Sequence, residues 1–470
     1  MVVDKQESVQ RCASEIISGI LSGCKHWDFN KMHNLKKSLT PILEYAINSI
    51  TPETLNDWAT CFASVSESRD PNKYYWVFEL LLKEPRSVEN GSFLESSWLY
   101  LLIGLLAQQE WRVCELLHRA LVYIEPKLDH SYQNVREKMG SLLVYIFMYD
   151  IPMNVNTLAY VPKRAPFLTS ILPKLEILKL KEEDNKNETN NCIEESAEKK
   201  SAKNLFRTIC RWISLNGSRT LHTAPADIFQ LLPLLCHMQH DTTDESFWQE
   251  CAVTIAILGQ TLLIPASIEA VIATLKNIAS GSSWHSRASA AAYLQTMVFS
   301  NLFTIMQNEQ WTNEINEIVL TLLQDERVEV RESAAETLCG FLHCEYFKIT
   351  DALVDTFKSK CQKKIKRKRL AANGLNMIEP EELRERHAGI LGLCACVSAF
   401  PYDVPEFLPD ILVLLGDHLH DPQPIEATIK RTLSSFRRTH HDNWRDHKLK
   451  FTDDQLAVIT DLLVSPSYYA

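Results

Sequence analysis

The chain has 470 residues, 46% of them hydrophobic, and 49 Lys and Arg against 59 Asp and Glu give a formal net charge of -10. That length is too great for one ordinary domain unless the chain is a repeat array, and the acidic balance excludes a molecule that binds nucleic acid directly as a whole. With only 13 Gly and 19 Pro the composition leans towards helix. Met1 to Lys5 has neither a basic nor an apolar region, so no signal peptide is expected there. The longest apolar run, Trp98 to Ala107, is about half of what a membrane span needs, so no membrane partner is expected. The 13 cysteines are scattered, and the C-x-C at Cys394 and Cys396 has no second pair to complete a zinc site. They read as reduced core thiols.

In chain order, residues 1–180 read as divergent helical repeats. Ile16, Ile17, Ile20 and Leu21 fall at helical spacing, and Thr51-Pro52-Glu53 has the form of a helix start. Trp58 and Phe62 line one face of the helix that follows. Tyr74 to Leu82, Phe93 to Ala107, Trp111 to Ile124 and Asn134 to Tyr149 are further helices, and no strand alternation is long enough to count. Residues 181–203 form a polar linker: from 181 to 200 there are seven acids and four lysines and almost nothing apolar. Such a segment buries too little surface to offset its ordering entropy, so disorder is expected.

From 204 to 450 amphipathic helix pairs recur. Second helices start near Asp244, Trp284, Val328, Glu382 and Pro424, at intervals of 40 to 54 residues. In the unit 312–343, Ile315, Ile318, Val319, Leu322 and Leu323 face Val330, Ala334, Leu338 and Leu342 across the turn Asp325-Glu326-Arg327. The unit 405–438 repeats this with Leu408, Ile411, Leu412 and Leu415, then Ile425, Ile429, Leu433 and Phe436. Period and layout predict an all-α fold, an α-solenoid of HEAT/armadillo-like helical repeats. Asp325-x-x-Val328-x-Val330-Arg331 resembles the HEAT signature, in which the Asp caps the second helix and the Arg bridges to the neighbouring repeat.

The longest interval holds a basic insertion at 358–379, in which eight of the twelve residues from Lys358 to Arg369 are Lys or Arg. Three readings are open: a nuclear localisation signal, which Lys363, Lys364, Lys366, Arg367, Lys368 and Arg369 match; a solvated loop; and a polyanion site. A second basic cluster is Lys430, Arg431, Arg437, Arg438, Arg445, Lys448 and Lys450. No nucleophile elbow, phosphate-binding loop, zinc-protease motif or dinucleotide fingerprint is present, so the chain does not read as an enzyme. His440, His441 and His447 fit no common metal spacing and read as surface histidines of a polar linker.

Residues 451–470 comprise a final helix and an extended tail. Thr452-Asp453-Asp454-Gln455 is a capping-box pattern, Leu456, Ile459, Leu462 and Leu463 form its stripe, and Pro466 ends it. The chain finishes Tyr468, Tyr469, Ala470.

The stretches Arg386-His387-Ala388-Gly389, Pro401-Tyr402-Asp403-Val404-Pro405, Asp421-Pro422-Gln423-Pro424-Ile425-Glu426, Phe436 to Trp444 and Phe451 to Gln455 closely resemble the C-terminal end of the large HEAT-repeat proteasome activators, the proteasome activator complex subunit 4 family. The resemblance implies a solenoid that caps the proteasome core particle and opens its gate without ATP or ubiquitin. Its tail would dock on the α-subunit ring through Tyr468, Tyr469 and the Ala470 carboxylate. It further implies presence in nucleus and cytoplasm, action on acetylated histones in DNA repair and spermatogenesis, and a bromodomain-like region at 277–365. There Glu345 and Tyr346 are the candidate acetyl-lysine residues, with Glu345 where an Asn is wanted. No cofactor is expected; inositol polyphosphates are candidate ligands of the basic clusters. Members are several times longer, so the chain is expected to be a C-terminal portion: a fragment, a short isoform or a truncated gene product. A general HEAT scaffold or transport-receptor-like protein, or a truncated non-activating form, is the competing reading.

Overall fold

Helix starts are written in side chains that accept backbone N–H groups. Asp28, Asp70, Ser283, Asn308 and Thr350 each cap the helix that follows, satisfying donors that have no partner within it. Pro71 and Pro265 open helices where a missing N–H costs nothing.

The structure is a computed structural model that describes residues 1–4, 6–66, 70–83, 91–150, 161–179, 196–217, 223–240, 244–364, 367–369, 376–378 and 380–463. In chain order the helices are α1 (Glu7–Gly23), α2 (Phe29–Asn48), α3 (Leu55–Ser66), α4 (Pro71–Leu81), α5 (Gly91–Gln109), α6 (Cys114–Ile124), α7 (Gln133–Phe147), α8 (Arg164–Leu175), α9 (Ala197–Gly217), α10 (Leu232–Met238) and α11 (Glu245–Gly259). They continue with α12 (Pro265–Ala279), α13 (Trp284–Ser300), α14 (Leu302–Met306), α15 (Glu309–Leu322), α16 (Val328–His343), α17 (Asp351–Cys361), α18 (Pro380–Ser398), α19 (Leu408–Asp417), α20 (Ile425–His440), α21 (Trp444–His447) and α22 (Asp453–Leu463).

Two compact units divide the chain, one of Met1–His222 and Asp241–Ile257, the other of Thr223–His240 and Leu258–Ala470. In the first, α1, α3, α5, α7 and α9 form a row, each packed on the next, while α4, α6 and α8 lie on α5, α7 and α9. In the second, the row is α10, α13, α16, α18 and α20, and α12, α15, α17 and α19 lie on α13, α16, α18 and α20. Each unit is therefore a stack of helix pairs, the all-α HEAT-type solenoid architecture read from the period. The starts of α11, α13, α16, α18 and α20 fall within two residues of the expected positions.

Row helices are covered on several sides, and their sequences show it. In α5, Leu94, Trp98, Leu99, Leu101, Leu102, Leu105 and Leu106 are all buried, because α3, α4 and α7 all pack on it. This accounts for the apolar run Trp98 to Ala107. Among the described residues no helix is long and apolar enough to cross a membrane. Every apolar residue predicted for the 312–343 and 405–438 units is buried, on the outer helices α15 and α19 as on the row helices α16 and α20.

One arginine position recurs. Arg136, Arg287 and Arg331 are each the fourth residue of a row helix, and each donates from Nη1 to carbonyls of the turn before it: His130 and Ser131, Gly281, and Asp325 and Glu326. All three are buried. Burial is tolerable because these charge-assisted bonds replace water. The HEAT signature is thus realised with a twist. Asp325 accepts the Arg327 N–H at 2.8 Å, ahead of α16, and also bridges repeats by pairing with Arg287 at 2.6 Å. Arg331 reaches the next repeat through His387 at 3.1 Å.

Two boundaries differ from the sequence reading. The polar linker is shorter than 181–203, since α9 begins at Ala197 and buries Ala202 and Lys203. The Lys203 stem reaches the core while its ammonium sits 5.7 Å from the Phe247 ring centroid. Residues 181–195, where disorder is expected, lie outside the described residues. The basic insertion is also shorter than 358–379, because Lys358 and Lys360 belong to α17. Within it two strands form where none was expected, β1 (Arg367–Arg369) and β2 (Asn376–Ile378), antiparallel with Arg367 opposite Ile378. Close packing of α17 on α18 brings the insertion's ends together. A Cβ on Gly389 would meet the Cys361 nitrogen at 2.6 Å, and one on Gly392 would meet the Phe357 ring at 2.5 Å. The region 277–365 is built from the end of α12 through α17 and shares the repeat row.

Candidate functional site at the C-terminal end

The final helix is mounted as its sequence suggests. The Thr452 N–H donates to Gln455 Oε1 at 2.9 Å, and the Gln455 N–H donates to Thr452 Oγ1 at 3.3 Å, a reciprocal capping box. Gln455 Nε2 also donates to Asp410 Oδ1 at 2.8 Å, tying α22 to α19. Ile459 is buried and Leu456 half-buried against α19 and α20. Tyr468, Tyr469 and Ala470, the residues expected to dock, lie outside the described residues, beyond Leu463, as does Pro466.

A ring cluster holds the segment leading into α22. His440 stacks on Phe436 with centroids 4.0 Å apart, Trp444 meets Phe436 edge-on at 6.5 Å, and Trp444 contacts Phe451 at 5.7 Å. His447 lies 5.1 Å from His440. His440 and His447 are both buried, which corrects their reading as surface residues; His441 alone is exposed. His440 Nδ1 lies 3.0 Å from the Phe436 carbonyl and Nε2 3.1 Å from the Asp403 carbonyl, so either tautomer has an acceptor for its N–H. Burial, then the neighbouring His440 and Lys450, push the His447 pKa down. The signal was present in the sequence. Ile425, Ile429, Phe436 and His440 follow one helical stripe, so the buried face of α20 runs one turn further than the apolar residues. Asp403 accepts from Lys450 at 2.6 Å, and that bond and the Val404 N–H lower its pKa.

The second basic cluster is displayed on this end. Lys430, Arg431, Arg437, Arg438, Arg445, Lys448 and Lys450 are all exposed. Lys430 pairs with Glu426 at 2.5 Å and Arg431 with Glu332 at 3.2 Å. The first cluster starts from an anchored stem. Arg386 donates to the Lys363 carbonyl at 2.9 Å and pairs with Asp421 at 2.9 Å, while Lys363 pairs with Glu385. Lys363 and Lys364 are exposed, Lys366 lies outside the described residues, and Arg367, Lys368 and Arg369 form β1.

Glu345 and Tyr346 follow α16. Glu345 has φ 59°, the left-handed conformation that ends helices, and its side chain is exposed. Tyr346 is buried edge-on against Phe341 at 4.8 Å, and burial raises its phenol pKa. The two side chains therefore sit in different environments. Burial also raises the thiols of Cys61, Cys236, Cys361, Cys394 and Cys396 to about 12, so they stay protonated at neutral pH. Among the described residues no group of three or more His, Cys, Asp or Glu is placed to hold a metal ion.

Two family models match this chain. Residues 1–104 match "Proteasome activator complex subunit 4-like, HEAT repeat-like", and residues 383–470 match "Proteasome activator complex subunit 4-like, C-terminal". Over 477 aligned residues, covering 100% of the chain, it is 47% identical to proteasome activator complex subunit 4 of Homo sapiens and 46% identical to that of Bos taurus. It is 22% identical over 97% of its length to proteasome activator BLM10 of Saccharomyces cerevisiae. The chain spans 26% of the length of the human and bovine relatives and 22% of the yeast one. The chain belongs to the proteasome activator complex subunit 4 family and corresponds to its C-terminal portion.

Proposed function

We propose that the chain acts as a proteasome activator subunit, docking its C-terminal tail on the α-subunit ring of the core particle and promoting gate opening without ATP or ubiquitin. The observation that carries this reading is the similarity along the entire chain to activators of the vertebrate and yeast proteasome. The capped, core-anchored α22 supports it, because a tail needs a rigid base to present its end. Residues 466–470 can span about 17 Å at roughly 3.3–3.6 Å per residue, enough to enter a pocket from that base. The terminal carboxylate would pair with a pocket cation, and the Tyr469 ring would supply packing and one hydrogen bond. The chain regulates a protease in this reading and performs no catalysis itself.

The family resemblance extends the proposal to acetylated core histones as substrates, with roles in DNA repair and spermatogenesis, and to nucleus and cytoplasm as locations. The basic insertion from Lys363 to Arg369 serves as the nuclear import signal, and inositol polyphosphates are the polyanions the basic clusters would take. Deletion of Tyr468 to Ala470 tests the core of the proposal. The shortened protein should lose binding to the core particle and stimulation of peptide and histone hydrolysis; undiminished stimulation would overturn the docking role. Equal turnover of acetylated and unmodified histones by the intact protein would remove the substrate half. Unchanged nuclear accumulation with alanines in place of the insertion's cations would remove the import half.

A further inference from the structure

Row helices of the first unit pack directly on one another, but α6 and α8, which lie on successive row members, leave a furrow between them. One part, with a volume of about 530 Å³, has Leu121, Val161 and Phe167 at its base, all buried. The other part, about 380 Å³, runs past Leu128, Ala202 and Leu205, also buried. Glu125 lines both parts, so they form one track along α8. Twelve helical residues make that track about 18 Å long, enough for about five residues of extended peptide.

Its walls are acidic. Glu115 and Glu125 face the first part, and Glu125, Asp129 and Glu198 the second. Neutral hydroxyls donate to three of them: Tyr75 to Glu115 at 3.4 Å, Ser170 to Glu125 at 2.8 Å, and Ser201 to Asp129. Hydroxyl donors orient a carboxylate without neutralising it. Among the described residues the lysines lining the furrow are Lys163 and Lys174, and Lys163 pairs with Asp150 at 3.1 Å.

We propose that this furrow docks an extended, cationic segment of another polypeptide. Its apolar side chains would seat on the Leu121–Phe167 and Leu128–Leu205 floors, and its lysine or arginine heads would reach the wall carboxylates while their stems cover the rims. An acidic segment would face like charges, and an uncharged one would leave the carboxylates without a counter-charge. Acetylation of the segment's lysines would remove the recognised charge.

The test uses the full chain without any core particle, so its outcome is separable from the tail reading. Binding of a labelled nine-residue peptide alternating lysine and leucine is followed by fluorescence anisotropy, alongside versions with glutamate or acetyl-lysine in place of lysine. The lysine peptide should bind at least about tenfold more tightly than either, with an advantage that shrinks as salt rises. Glu115→Gln with Glu125→Gln should weaken it by roughly three- to tenfold and leave the circular dichroism unchanged, since neither side chain is buried. Equal affinity for the three peptides, or an unaltered affinity in the double variant, would overturn the proposal.

Discussion

Arg287 and Arg331 occupy the same position in successive row helices, and the repeats use them differently. Both reach back to their own turn from Nη1. Arg287 then meets a carboxylate: Asp325 takes Nε and Nη2 at 2.6 and 3.0 Å, and this bidentate pair raises the arginine's pKa. Arg331 meets an imidazole instead. Its Nε donates to His387 Nδ1 at 3.1 Å, and His387 Nε2 then donates to Thr428 Oγ1 at 3.1 Å. With no carboxylate bonded to it, Arg331 has its pKa lowered, chiefly by burial. The imidazole must stay neutral to accept from a guanidinium, and burial with Arg331 alongside pushes its pKa down to about 3. One interface is thus held by charge and the other by a neutral relay across α16, α18 and α20.

The largest effect should come from breaking the charged joint. The side chains of Arg287 and Asp325 are 5% and 8% exposed. Asp325→Ala would leave the buried guanidinium with only the Gly281 carbonyl and the exposed Glu326, a loss of about 3–5 kcal/mol by analogy with other broken buried pairs. Urea unfolding followed by hydrogen exchange in α13 and α16 measures it. A change below about 1 kcal/mol would mean that the backbone bonds alone hold this joint.

The neutral joint should show itself through pH. His387 has a folded pKa of about 3 against 6.5 for the free side chain, so between those values the unfolded chain binds a proton that the folded one refuses. Stability therefore falls as pH drops from about 6.5 towards 3, by at most about 1.4 kcal/mol per pH unit from this residue, and His387 adds no slope above 6.5. The pKa values of His240, His285 and His447 are also lowered, and they add slope of the same sign. The informative quantity is the difference between the wild type and His387→Gln, which cannot titrate there. Parallel stability–pH curves for the two proteins would show that the relay does not restrict protonation.

This contrast bears on what a sequence displays. The stripes of α15, α16, α19 and α20 were legible because burial on one face of a helix imposes a period of 3.6, and that period survives without any partner in view. The capping box at Thr452 and Gln455 was legible because all its atoms lie within four residues. The relay was not, since Arg331, His387 and Thr428 come together only when three repeats stack. The burial of His440 was signalled by its place on the α20 stripe, whereas that of His447 was hidden, since it lies beyond α20 and is covered only when the chain folds back beside His440. The hairpin in the insertion has no alternating pattern, and it forms where α17 and α18 pinch together at Gly389 and Gly392. At the tail, sequence supplied the residues and structure supplied the mount.

The comparison can be sharpened by a third contact between the same repeats that differs from both in exposure. Arg431 on α20 pairs with Glu332 on α16 at 3.2 Å, across the relay, with side chains 61% and 34% exposed. Water already solvates both groups, and holding two long side chains together costs entropy, so Glu332→Ala should change stability by less than about 0.5 kcal/mol and less still in high salt. Arg431 also lies close enough to His387 to lower its pKa. If Glu332→Ala leaves midpoint stability intact but steepens the loss of stability below pH 6.5, Arg431 released from its partner has moved towards the imidazole, and the surface pair acts by keeping that charge away from the relay. If it instead costs as much as Asp325→Ala, exposure is not what separates these joints, and the contrast between the charged and neutral interfaces fails with it.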